Sequence, residues 1–298
     1  MKNNPCDNPL FSAIEKQSKF IKLSIDHLNL LNDMIPPVFR EIQDSTLAID
    51  RIMKSVSPHY KIFDTFEKIR RDIEQTEEDM EVFQAAIVEL GYPPHYDVDI
   101  RQMRKIVKDF IEDKKQVVEY IDEFMALNYD ATAMNEMLIK WDGKPFLERR
   151  IQILRNVVRA HNQGMYHLAV LGIISQYEGI IVDAFSITGH VNGHIQQILL
   201  EHLLKHKNVI SFGFDKVIYD YYNSNILVSF RHGEELGANI SRHAILHGGH
   251  TDFGTLPISL KVILLFDFLV DAIEELTPER IEEGMKAVEQ QRNKKSKK

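Results

Sequence analysis

The chain contains 298 residues, of which 44% are apolar, so it is long enough to form two domains with substantial hydrophobic cores. Cys6 is the single cysteine, which excludes an intrachain disulfide and a cysteine-based zinc cluster and favours a reducing cytoplasm. The net charge of −8 at pH 7 argues against a broad, non-specific nucleic-acid binder.

Residues 1–140 have the pattern of a domain built from long helices. Apolar residues recur at three- and four-residue spacings, and proline-containing breaks separate the periodic segments. The pattern predicts helices over residues 9–32, 38–55, 60–91 and 98–128. The first residues lack the continuous apolar core of a signal peptide, which also favours the cytoplasm.

A second helical domain is predicted over residues 145–280. The boundary is expected between Asn128 and Gly143, where Trp141 to Pro145 interrupt the periodicity. Helices are predicted over residues 145–162, 164–185, 191–207, 212–230, 234–247 and 255–276. A short helix beginning at Thr277 is expected to end in a disordered basic tail, 290–298. The predicted fold class is therefore all-α.

Charge is distributed unevenly between the two parts of the chain. Residues 1–140 hold 18 Lys and Arg against 26 Asp and Glu, whereas residues 141–298 hold 18 of each and 10 of the 13 histidines. Since an acidic surface repels a polyanion, nucleic-acid chemistry is expected in the second part.

The most membrane-like run of the sequence is Leu256 to Ile273. It carries Lys261, Asp267 and Asp271, which are too many charges for a bilayer span. We therefore expect no membrane contact, and we predict a buried helix at a domain centre or a dimer interface.

One arginine and three histidines fall within the ten residues from Ser241 to His250. In a helix, His243 and His247 share a face, whereas Arg242 and His247 diverge by about 140°. Arg242 and His247 converge only if the helix ends at Gly248-Gly249, or if a second copy of the chain supplies the partner. A guanidinium suits a phosphate, and an imidazole suits proton transfer near neutral pH.

The segment Arg242-His243-Ala244-Ile245-Leu246-His247 resembles the motif of the HEPN superfamily, an arginine followed by four to six residues and a histidine. These helical proteins include metal-independent ribonucleases of bacterial toxin and antiphage systems. His243 is a departure, since the family usually has Asn or Asp after the arginine. The resemblance covers roughly residues 145–280 and implies a HEPN-like helical bundle there, but it does not extend to residues 1–140.

The resemblance implies a metal-independent endoribonuclease that needs no cofactor and acts in bacterial defence or as a toxin. In the implied mechanism the RNA 2′-OH attacks the adjacent phosphorus, with His247 as general base or acid, Arg242 stabilising the phosphoryl charge and His243 supporting them. Single-stranded or loop RNA, tRNA included, is the expected substrate. The family also implies a homodimer with two motifs facing one cleft. Residues 1–140 would then have a sensor or regulatory role, and a regulatory protein partner is a further hypothesis.

Four other residues are candidates for the same site. Glu178 lies in the almost wholly apolar segment 164–185, so it is expected to meet an arginine or histidine and is assigned a supporting catalytic role. Arg155, Arg159 and His250 are candidate substrate contacts. For the two arginines, ion pairing within the protein is the alternative.

Other interpretations stay open. Arg242 could form a structural salt bridge while His247 caps a helix C-terminus, where positive charge is favourable. The domain would then be a catalytically silent module that binds RNA, a nucleotide or a protein. A metal-dependent hydrolase is the third alternative, because histidines four residues apart can share a metal ion; such pairs are His190 with His194, His202 with His206, and His243 with His247. None has the His-Glu-x-x-His pattern of a zinc protease, so no metal site is assigned.

Overall fold

The computed structural model of the protein describes residues 60–93, 98–204, 214–236, 238 and 240–296. Within these ranges all regular secondary structure is helical, which confirms the predicted all-α class. The predicted helices over 9–32 and 38–55 lie outside the described residues. The HEPN-like arrangement of the second domain stays a prediction.

Eleven α-helices lie within the described residues, together with a 3-10 turn at Pro145–Leu147. They are α1 (Tyr60–Glu89), α2 (Ile100–Asn128), α3 (Ala131–Asp142), α4 (Ile151–Asn162), α5 (Tyr166–Ile174), α6 (Tyr177–Ala184), α7 (Gly193–Leu204), α8 (Phe214–Asn225), α9 (Arg242–Leu246), α10 (Leu256–Glu274) and α11 (Pro278–Ser296). Helix α2 bends at Asp113, whose backbone is not helical.

The chain divides into two compact units. The first comprises residues 1–80 and 96–104, and the second comprises residues 81–95 and 105–298. In the first unit, Arg104 Nε donates to Asp79 Oδ2 at 2.7 Å and Arg104 Nη2 donates to Thr76 Oγ1 at 3.0 Å. The second unit begins well before residue 140, where the sequence pattern placed the boundary.

Helix α3 explains why residues near 140 belong to the second unit. Trp141, expected to mark a break, is fully buried, and its Nε1 donates to Asp267 Oδ1 at 2.7 Å. Lys140 Nζ lies 2.9 Å from the same carboxylate and 2.8 Å from Asp271 Oδ2. Helix α3 ends only after Asp142, so the break in periodicity follows a helix that is part of the core of the second unit. It does not separate two domains.

Helix α10 is the centre of the second unit. Its side chains are buried almost without interruption, and it packs against α5, α6 and α7. Asp267 is only 3% exposed, and the bonds from α3 satisfy its carboxylate, as a buried charge requires. Among the helices that the structure describes, none is long and apolar enough to cross a membrane.

The single apolar helix predicted over 164–185 is in fact two helices. Ser175 and Gln176 separate α5 from α6, and Ser175 Oγ donates to the carbonyl of Gly172 at 2.8 Å. A serine side chain that bonds to a preceding carbonyl competes with the helical backbone pattern and often bends a helix. The following Tyr177 is fully buried and donates its hydroxyl proton to the carbonyl of Val262, which fixes α6 against α10.

Two further predictions of secondary structure are wrong. Among the described residues of the helix predicted over 234–247, only Arg242 to Leu246 are helical, and the preceding Gly233 adopts a φ of +85°, which favours an irregular connection. The basic tail 290–298 was expected to be disordered, but α11 continues to Ser296. Arg292 Nη2 anchors that end of α11 by donating to the carbonyls of Thr188 at 2.8 Å and His190 at 3.1 Å.

Candidate functional site

The motif lies on α9, a helix of five residues that begins with a side-chain cap. Ser241 Oγ accepts a hydrogen bond from the backbone N–H of Ala244 at 3.3 Å and donates to the carbonyl of Val228 at 3.1 Å. The backbone N–H of Arg242 donates to the carbonyl of Ile226 at 3.1 Å. Since a single helical turn is unstable in isolation, these bonds to the preceding segment hold α9 in place.

The helix ends at His247, as the Gly-Gly pair that follows it suggests. The His247 N–H donates to the carbonyl of His243 at 3.0 Å, and Gly248 then turns the chain with a φ of +72°, a left-handed conformation that glycine adopts without strain. A side chain is also excluded at Gly249, where a Cβ would lie 1.7 Å from Phe230 Cζ. One of the two conditions for bringing His247 towards Arg242 is therefore met.

Arg242 forms an ion pair with Glu178 of α6. Arg242 Nη2 lies 2.8 Å from Glu178 Oε2, and the two side chains are 19% and 26% exposed. This confirms that Glu178 meets an arginine, although Glu178 is half-buried rather than fully buried. Gln196 of α7 donates from Nε2 to the same carboxylate oxygen at 2.6 Å. An ion pair of this kind is also what the structural salt-bridge interpretation of Arg242 requires.

The two histidines of α9 stack on one face, as their four-residue spacing predicts. Their ring centroids are 6.2 Å apart and the ring planes differ by 3°. Burial lowers the pKa of His243, the positive charges of Arg242 and His247 lower it further, and Glu178 opposes them. His243 is therefore predominantly neutral at pH 7, whereas His247 is exposed at the end of the helix.

The other three candidate residues are not bonded to the motif side chains within the described residues. Arg155 Nη2 donates to both carboxylate oxygens of Asp142, at 2.7 and 2.8 Å. Arg155 therefore forms an ion pair within the protein, which was the alternative to a substrate contact. Arg159 is exposed on the same helix. His250 is only 8% exposed and packs edge-on against Phe253, so its ring lies inside the protein and not on a surface that a polymer can reach.

His167 and Gln196 contact the site region, and sequence analysis did not identify either one. His167 of α5 places Nε2 3.1 Å from the carbonyl oxygen of Thr251, in the loop after the motif, and its ring packs against Phe253. Gly254 permits this approach, since a Cβ there would lie 1.9 Å from His167 Cε1. His167 and Thr251 are 84 residues apart in sequence, and Gln196 and Glu178 lie on separate helices. No local sequence pattern therefore indicates either contact.

The histidine pairs are not extended into a larger ligand set. Within the described part of the chain, no group of three or more His, Cys, Asp or Glu side chains is arranged to hold a metal ion. His190 and His194 are exposed, and His206 lies outside the described residues. The stacked pair His243 and His247 has Arg242 as its charged neighbour, and this cation raises the cost of a metal ion at that position.

Comparison with known proteins assigns the chain to no family. Neither a protein-family model, nor a curated protein, nor a solved structure matches it. The function proposed below therefore depends on the chemistry of α9 and its neighbours, together with the motif resemblance.

Proposed function

We propose that this protein is a metal-independent endoribonuclease of the HEPN type, with its active site at α9. The observation that carries the proposal is the arrangement of this short helix and its C-terminal cap: Arg242, held by Glu178, lowers the pKa of His243, and the rings of His243 and His247 are parallel. A fixed guanidinium recognises a phosphate, and imidazoles exchange protons near neutral pH. These are the groups that phosphodiester cleavage requires when the nucleophile belongs to the substrate.

In the proposed reaction an imidazole accepts the proton of the RNA 2′-OH, and the 2′-oxygen forms a bond to the adjacent phosphorus. The bond from phosphorus to the 5′-oxygen breaks, and a protonated imidazole donates a proton to that leaving oxygen. The products are a 2′,3′-cyclic phosphate and a 5′-hydroxyl. His247 is the proton-transfer residue because it is exposed at the end of α9, and Arg242 stabilises the charge on the phosphoryl oxygens. His243, neutral at pH 7, supports His247 without adding a charge.

A homodimer completes this scheme, because in-line attack needs a base and an acid on opposite sides of the phosphorus. We propose that four exposed apolar side chains form a strip next to the motif: Met165, which precedes α5, Leu168 and Leu171 on α5, which packs against α9, and Leu246, directly before His247. Leu168 is 59% exposed and Leu246 is 40% exposed. Contiguous exposed apolar side chains favour association. We propose that a second copy covers this strip, so that His247 of one copy acts as base and His247 of the other as acid.

The proposal extends to the setting of the reaction. Single-stranded or loop RNA, tRNA included, is the substrate, because its flexible backbone permits in-line attack. The protein acts in the cytoplasm, in defence or as a toxin. Such an activity would damage the cell unless it were controlled, and residues 1–140 or a protein partner would supply that control.

A catalytically silent RNA- or protein-binding module is the second candidate. Two observations favour it: Arg242 already has a carboxylate partner, and His247 occupies the C-terminal cap of α9. Both features stabilise a protein without chemistry. The ribonuclease needs His247 for RNA cleavage, whereas the silent module needs it only to stabilise the C-terminal end of α9.

The test is incubation of total cellular RNA with the wild type, His247→Ala and His194→Ala in EDTA, followed by end-group analysis. His194 is an exposed histidine outside the motif and serves as the matched control. We expect fragments with 2′,3′-cyclic phosphate ends from the wild type and His194→Ala, and none from His247→Ala. RNA binding without cleavage in all three would favour the silent module, and cleavage that appears only with added metal would favour the metal-dependent alternative.

A further inference from the structure

Gln196 is a buried polar residue whose presence is not explained by stability. It lies on α7, is 3% exposed and donates from Nε2 to Glu178 Oε2. Its other polar atom, Oε1, is buried and accepts no hydrogen bond from the residues that the structure describes. A hydrogen bond to a carboxylate stabilises the fold, but a buried acceptor left unsatisfied costs a comparable amount. An apolar side chain of similar size would serve the core equally well.

Arg242 depends on its surroundings for a defined orientation. It is the first residue of a five-residue helix, and within the described part of the chain its guanidinium forms one ion pair, through Nη2. Its Nε is buried and donates to no acceptor within the described residues. A guanidinium held through one nitrogen pivots about that contact, so its direction follows the carboxylate that holds it.

The hydrogen bond from Gln196 fixes the position of the Glu178 carboxylate. Its Oε2 accepts a hydrogen bond from Gln196 Nε2 at 2.6 Å and lies 2.8 Å from Arg242 Nη2, so contacts from α7 and α9 meet at one oxygen of α6. With Gln196 removed, the half-exposed carboxylate is free to rotate towards solvent, and the guanidinium moves with it. Gln196 therefore holds Glu178, and Glu178 in turn holds Arg242.

We infer that Gln196 is a positioning residue, which acts through Glu178 to hold the Arg242 guanidinium in the orientation that receives a phosphate. The catalytic consequence of this role rests on the proposed ribonuclease function, whereas the immobilisation of Arg242 does not. The opposite role, in which Glu178 blocks Arg242 until substrate displaces it, predicts a gain of activity when Gln196 is removed.

The test compares Gln196→Met with Gln197→Met, a matched control on the same helix. Gln197 Nε2 donates to Asn223 Oδ1 at 3.1 Å, so this variant also loses one side-chain hydrogen bond, but not one to Glu178. The first readout is NMR of protein with 15N-labelled arginine, in which Arg242→Lys identifies the Arg242 resonances. We expect slow rotation of the Arg242 guanidinium in the wild type and Gln197→Met, and fast rotation in Gln196→Met. Slow rotation retained in Gln196→Met would overturn the inference.

The second readout is steady-state cleavage of a defined RNA oligonucleotide. Misplacement of Arg242 in Gln196→Met should lower kcat by roughly 10- to 100-fold, because positioning errors act on the chemical step, while KM changes by less than about threefold. Gln197→Met should match the wild type. Equal losses in both variants, or a higher kcat in Gln196→Met, would contradict the inference.

Two measures separate the possible failures. Glu178→Gln keeps the shape of the side chain and leaves the α7 core unchanged, so it should release Arg242 in the NMR experiment even if Gln196→Met does not fold. If the wild type cleaves no RNA but its Arg242 is rigid and is released in Gln196→Met, the positioning role stands and the ribonuclease function fails. If the wild type cleaves RNA with Arg242 rotating freely, the positioning role fails and the ribonuclease function stands.

Discussion

Acid should destabilise this protein through His161, a histidine buried beneath α10. His161 is 6% exposed, its Nδ1 lies 2.8 Å from Ser259 Oγ, and its ring packs edge-on against Tyr166. Burial lowers the pKa of His161 from 6.5 to about 4, because the imidazolium form loses its hydration. The folded protein therefore resists protonation at a position that the unfolded chain protonates readily.

The direction and size of the effect follow from this difference. Between about pH 4 and pH 6.5 the unfolded state binds more protons than the folded state, so the free energy of unfolding rises with pH. The stabilisation is complete above pH 6.5 and is lost as the pH falls towards 4. Since one pKa unit corresponds to about 1.4 kcal/mol, the full loss from His161 is roughly 3 kcal/mol.

The assay is urea unfolding of the wild type and His161→Asn at pH values from 7.5 to 4.5. Asparagine keeps an amide nitrogen near the position of Nδ1 but does not titrate, so the variant is less stable at pH 7.5 because the shorter side chain leaves space. The difference between the two proteins should shrink by roughly 2–3 kcal/mol towards pH 4.5. An exposed control, His194→Asn, should show no such trend. A difference between the wild type and His161→Asn that stays constant over this range would refute the reasoning.

Three further substitutions test the packing around the site. Asp267→Ala should lower the free energy of unfolding by about 1–3 kcal/mol in urea unfolding, because it leaves the buried Trp141 Nε1 without an acceptor, whereas Lys140 keeps its ion pair with Asp271. Gly254→Ala should cost about 1–3 kcal/mol in the same assay, because its Cβ collides with the His167 ring, and an unchanged free energy of unfolding would contradict this. Tyr222→Phe should raise the free energy of unfolding by about 1 kcal/mol, because the buried hydroxyl has no hydrogen-bond partner among the described residues; a loss of stability would show that the hydroxyl is bonded.

Within the described residues, periodicity predicted most of the helices, but it did not predict how they end or meet. The apolar pattern of 164–185 continues through Ser175 and Gln176, so it gave no sign of the break between α5 and α6. Trp141 stands beside turn-forming residues, and this local pattern indicates a domain boundary, although the Trp141 indole is fully buried. In both cases tertiary packing decided the outcome, because side-chain bonds to distant helices outweigh a local preference.

The parts of the candidate site that depend on residues close together in sequence could be predicted. The four-residue spacing of His243 and His247 predicted their shared face, and an acid in an apolar segment predicted that Glu178 has a cationic partner. The identity of that partner, and the contribution of Gln196, depend on how α6, α7 and α9 pack together. No sequence period relates these helices, so only the fold identifies the contacts.

Several buried polar atoms around α9 have no hydrogen-bond partner within the described residues. They are Arg242 Nε, Gln196 Oε1, Tyr222 Oη and His250 Nε2, and Arg150 Nε, outside the motif, is also unsatisfied. The first two belong to the ion-pair network itself, the charges of Arg242 and Glu178 shift the pKa of Tyr222 in opposite directions, and His250 follows the motif helix.

Each unsatisfied buried polar group costs about 1–3 kcal/mol. Such costs persist where a function maintains the residues that cause them. The unsatisfied atoms around α9 agree with the proposed site, and the cleavage assay tests whether α9 performs chemistry.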